Sequence, residues 1–90
     1  MTDGEGATAQ AKELASKLQR YAGWLDKDRA SAAVRADVDA LAVAIDTGAD
    51  TLPYLEALDR GIVRLVGGGV RKMIVGVLRE MHTTLDRNAV

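Results

Sequence analysis

His82 is the chain's single histidine, and Asp86 stands four residues after it. An imidazole beside a carboxylate is the smallest set that could move a proton. At i,i+4 spacing on the polar arc of a helix, however, the two read as a surface pair. No second histidine and no cysteine accompany them, so neither an HExxH metal site nor a thiolate zinc site can be assembled. Asp46 and Asp50 bracket Gly48 in a faint echo of a calcium loop. The remaining oxygen ligands and the terminal glutamate of such a loop are missing. Asp37 and Asp39 fall on different sides of a helix, and Asp26 and Asp28 flank a turn as capping groups. Gly67-Gly68-Gly69 leads into Val70-Arg71-Lys72. A helix N-terminus with cations beside it can hold an anion. The spacing matches neither GxxxxGK[ST] nor GxGxxG, and no strand precedes it, so the glycine run reads as a linker or a hinge. No catalytic residue, metal or cofactor is expected, and the chain reads as a non-enzyme.

The residues left over suit binding. Trp24 and Tyr54 are aromatics of the kind that anchor protein interfaces. Arg60, Arg64, Arg71, Lys72 and Arg79 form a basic set in the last third of the chain. If the glycine run were a hinge merging the flanking helices, Arg60, Arg64 and Arg71 would fall on one stripe. A protein partner or a second copy of the chain is the expected ligand, with a homo-oligomer the simplest form. The alternative is a small nucleic-acid-associated regulator working through the basic half. Against it, no exposed Asn or Gln stands on the last helix to read adenine, so its cations could meet phosphates only.

These residues must be carried by helices. Ala11, Leu14, Ala15, Leu18, Tyr21, Ala22 and Leu25 share one helical arc, predicting helix 1 over about residues 8–25. Residues 1–6 read as a flexible acidic lead-in to a single helical domain over 7–90. Val34, Val38, Leu41 and Ile45 line helix 2, over 29–46, with Asp28 as N-cap and Gly48 at its end. A second face of helix 2 carries Ala33, Ala40 and Ala44, flanked by Ala36, and predicts contacts on two sides. Helix 3, over 52–66, repeats Leu52, Leu55, Leu58, Ile62, Leu65 and Val66, with Asp50 or Thr51 as cap and Pro53 in its first turn. Tyr54 and Val63 widen its apolar arc, which predicts a central helix. Gly61 marks a place where it could kink or break. Helix 4, over 70–87, presents Val70, Met73, Ile74, Val77, Leu78, Met81 and Leu85. The β alternative for residues 62–78 fails on alternation, since Leu65-Val66 and Met73-Ile74-Val75 are consecutive apolar residues. The fold class is all-α, a compact up-and-down bundle of four helices joined by short links.

Ninety residues make one small domain with a thin margin of stability. Phe is absent, so the core falls to Leu, Val, Ile, Met and Ala. Residues 1–59 carry six basic and eleven acidic side chains, net −5, whereas residues 60–90 carry six and two, net +4. Such polarity suits head-to-tail or antiparallel self-association, an acidic partner, or simple complementation of two halves. The N-terminus lacks the basic start and apolar run of a signal peptide. The longest apolar stretch is broken by Arg64, Arg71 and Lys72, so a membrane span is not expected. A cytoplasmic location follows as the expectation. The alanine content and eight arginines to four lysines suggest a bacterial source with a GC-rich genome.

Overall fold

A computed structural model describes the backbone of residues 2–65 and 68–89 and the side chains of residues 9–65 and 68–85. Helices α1 (Thr2–Ala22), α2 (Arg29–Thr47), α3 (Leu52–Val63) and α4 (Gly69–Ala89) follow one another, with no strand among the described residues. Each packs on its neighbour in sequence, and α4 closes the ring against α1. Cross-helix bonds give the direction. Lys12 meets Asp46 at 3.9 Å and Gln19 meets Asp39 at 3.2 Å, so α2 runs against α1. Arg71 meets the Ile62 carbonyl and His82 meets Asp59, so α4 runs against α3. The result is the expected up-and-down bundle, 41 × 21 × 19 Å.

The predicted stripes supply the core. Leu14, Leu18, Val34, Val38, Leu41, Leu55, Leu58, Ile62, Ile74, Val77, Leu78 and Met81 are all buried in one cluster. A side chain of this kind gains about 1.5–3 kcal/mol from full burial. The departures lie at the edges of the arcs. Leu52 and Val63 of α3 and Met73 of α4 are exposed. Helix α3 is therefore not central. It is the shortest of the four, and its seam with α4 is the thinnest, whereas α1 packs fully on both α2 and α4. The breadth of the α3 arc reports apolar side chains left in water, not burial on many sides.

Helix ends follow local chemistry. Asp28 caps α2 by accepting the Ser31 N–H at 2.7 Å. Gly48 closes the same helix at φ 75°, a left-handed conformation that favours glycine. Between the two caps predicted for α3, the side-chain bond falls to Asp50, which accepts the Leu52 N–H at 3.2 Å, while Thr51 makes none. Helix α1 stops at Ala22 rather than Leu25. The amides of Trp24 and Leu25 turn back to the carbonyls of Tyr21 and Ala22, a tight last turn. At its other end α1 begins at Thr2, so the helix takes in residues 2–6. Helix α3 ends at Val63, three residues short of 66. Val66 and Gly67, assigned to its end and to the glycine run, lie outside the described residues. Helices α3 and α4 do not merge: α3 ends at Val63, α4 begins at Gly69, and Arg71 folds back onto the end of α3.

Gly61 neither kinks nor breaks α3. A Cβ there would stand 3.2 Å from Cγ2 of Val34, so the glycine lets α3 approach α2 closely. The alanine face of α2 is covered in part: Ala44 is buried and Ala40 half-buried, but Ala33 and Ala36 remain exposed.

The Asp28 cap yields a pH prediction. The Ser31 backbone N–H, then the Ser31 hydroxyl, and finally the positive charge of Arg35 hold its carboxyl below the usual carboxylate value. A carboxyl lowered on folding stabilises the protein above its unfolded pKa, about 3.9 for aspartate, and that stabilisation is lost as pH falls through the folded value. Asp28→Asn keeps a good cap but cannot titrate. Urea melts followed by circular dichroism should therefore show the native protein losing more stability than Asp28→Asn between neutral pH and strong acid. Parallel losses would contradict the assignment.

Candidate functional site

The up-and-down order brings residues 23–28 of the first link and residues 64, 65 and 68 of the third to the same end of the bundle. Three of the large apolar side chains left in water belong to this end: Trp24, 57% exposed, Val63, 74%, and Met73, 40%. Trp24 is held and not loose. Its ring lies 5.3 Å from that of Tyr21, tilted by 41°, one helical turn back. Arg20, Lys27, Arg29, Arg60, Arg64, Arg71 and Lys72 share this end, where residues 20–29 and 60–72 contribute Asp26 and Asp28 as the opposing acids. By contrast, residues 36–59 hold six acidic side chains and no Lys or Arg. The fold thus converts a charge split along the sequence into a rod with one basic end and an acidic flank.

Of the predicted binding residues, Trp24, Arg60, Arg64, Arg71 and Lys72 are gathered here. Tyr54 sits at the far end of α3, half-buried against the core. Arg79 is exposed along α4, away from the basic end. Arg71 is committed to structure, its Nε donating to the Ile62 carbonyl at 3.2 Å at the C-terminus of α3. That bond adds a side-chain donor to a carbonyl that also accepts the Leu65 N–H at 3.1 Å, and it sets a cation at the negative end of the helix dipole.

Between α2 and α3 lies a groove of about 450 Å³ lined by Arg29, Ala30, Ala33, Asp37, Ala57, Arg60, Gly61 and Arg64. Arg29, Ala33 and Asp37 carry no mark that separates them from ordinary helix surface. Only the antiparallel pairing of α2 with α3, fixed by Gly61 on Val34, sets Arg29 across from Arg64.

His82 has a partner across the α3–α4 seam. Its Nε2 lies 3.1 Å from both carboxylate oxygens of Asp59 on α3, and the side chain of Asp86 is outside the described residues. The pair fastens the thin α3–α4 seam, and both members are partly exposed, so its contribution is small. Among the described residues, no three His, Asp or Glu side chains converge as metal ligands, and no helix is long and apolar enough to cross a membrane. No protein-family model matches this chain, and neither does any curated protein or solved structure.

Proposed function

We propose that this protein is a non-enzymatic interaction module of the cytoplasm that works by binding protein, either a second copy of itself or a larger partner. The observation that carries the reading is the basic end, where exposed Trp24, Val63 and Met73 stand with Arg29, Arg60, Arg64 and Lys72, which have no carboxylate partner among the described residues. Trp, Met and Arg are the side chains enriched where proteins meet, and a rigid aromatic with a basic rim is the usual form of a binding anchor. The acidic flank gives a second copy a complementary surface, so association is expected to be electrostatically assisted.

Light scattering at micromolar concentration should show a dimer or larger species. Raising salt from about 0.05 to about 0.5 M should shift it toward monomer, because exposed charges are screened over this range. Trp24 is the only tryptophan, so its emission reports the contact directly and should move to shorter wavelength as association proceeds. A monomer at every concentration and salt would remove self-assembly and leave the partner-binding form. Nucleic-acid association makes the opposite demand, a duplex-DNA affinity that falls steeply with salt. Absence of a gel shift at low salt ends that alternative.

A further inference from the structure

We infer that the groove between α2 and α3 is the seat of an acidic polypeptide segment, its carboxylates on Arg29, Arg60 and Arg64 and a hydrogen-bond donor or cation on Asp37. The inference rests on the protein-binding reading above and gives the partner its chemistry.

Three properties of the groove select this ligand. The first is charge. Arg29, Arg60 and Arg64 are exposed, and among the described residues none of them has a carboxylate partner. Guanidinium groups present paired N–H donors that match a carboxylate. Arg60 and Arg64 stand one helical turn apart, with Cβ atoms about 5–6 Å from each other. That span suits carboxylates on alternate residues of an extended chain, which rises about 3.3 Å per residue.

The second property is the floor. Ala30, Ala33, Ala57 and Gly61 offer nothing longer than a methyl group, so a peptide backbone can sit close to both helices. The third is polarity. Val34 and Gly61 are level, so Arg29 and Arg64 mark one mouth while Asp37 and Ala57 mark the other. From Arg29 to Asp37 the helix rises about 12 Å, the length of three or four extended residues. A nucleic acid repeats one sign of charge at every step and would meet Asp37 with a phosphate. A peptide can turn an amide or a basic side chain toward it.

The test titrates the folded chain into a fluorescein-labelled peptide of about eight residues, alternating glutamate and alanine with blocked ends, at low salt, read by anisotropy. Saturable binding is expected, weakened at least about tenfold by R60Q/R64Q. K12Q/K17Q removes the same charge from α1 and should change affinity by less than about threefold. Ala33→Leu leaves every charge in place but fills the floor, and should weaken the peptide about tenfold while leaving the weak competition by inorganic phosphate unchanged. Circular dichroism checks that each variant remains helical; the altered positions are all exposed or half-exposed. Equal losses for the two double variants, an Ala33→Leu chain that binds normally, tighter binding of a duplex DNA oligonucleotide, or no saturable binding would each overturn the groove assignment. Light scattering of the same samples separates the two readings. Concentration-dependent association without peptide binding overturns the groove and leaves the interaction module standing, whereas a monomer that binds the peptide upholds both.

Discussion

Leu18→Ala is expected to lower the unfolding free energy by about 2–5 kcal/mol, and Leu52→Ala by less than about 1 kcal/mol. The chemical change is identical and the surroundings differ. Leu18 is fully buried on α1, the helix that packs against both α2 and α4. Truncating it removes about three methylene-sized groups from a close-packed interior and leaves a void between helices that cannot close without moving others. Leu52 is 55% exposed at the first turn of α3, so truncation there opens no cavity. Small proteins hold roughly 0.05–0.15 kcal/mol per residue, so the Leu18 change takes a large share of the total. For a domain of this size, each 1 kcal/mol moves the melting temperature by roughly 4–8 °C. Thermal melts should separate the two variants by at least about 4 °C. Similar melting temperatures would mean that the burial pattern described above is wrong.

That comparison also shows what periodicity can and cannot say. Both leucines lie on apolar arcs, and an arc reports which side of a helix faces the core without reporting how far along the axis the core extends. Leu14, Leu18, Leu41, Leu58 and Ile74 sit mid-arc and are buried. Leu52, Val63 and Met73 sit at arc edges or helix ends, where no neighbour reaches them. Caps were legible because they depend on a few adjacent residues: Asp28 and Gly48 act as their types require. Val63 is the instructive failure, since the feature that placed α3 at the centre is one that leaves it incomplete.

The candidate site was legible as a list and not as a place. Arg60 and Arg64 are neighbours on one helix turn and could be paired from spacing alone. Arg29 stands some thirty positions earlier and reaches their groove only through the packing of α2 on α3. Arg71 passed for a binding cation because nothing local says that it reaches back to a carbonyl at the end of α3. His82 meets Asp59, 23 positions away in sequence. Each of these turns on contact between helices, which a single sequence encodes without displaying.

Gly61→Val is expected to destabilise the protein by about 1–3 kcal/mol, and the same change in a Val34→Ala background is expected to cost little. On propensity alone the change should help, because glycine is among the worst residues for a helix interior. Packing decides otherwise. A Cβ at position 61 already stands 3.2 Å from Cγ2 of Val34, and a valine must also place two γ-carbons beside it. Val34 is fully buried and β-branched, so its side chain has neither free volume nor an alternative rotamer into which to retreat. The helices must separate, and the separation also spreads Arg29 from Arg64 across the groove. Removing the Val34 γ-carbons supplies the missing space, so the pair amounts to moving volume across the α2–α3 seam. Urea melts of the four proteins in the cycle should therefore give a coupling of about 1–3 kcal/mol, with the double variant close in stability to Val34→Ala alone. Strictly additive losses would show that the glycine is not what sets the distance between these helices, and the close floor of the groove would lose its physical cause.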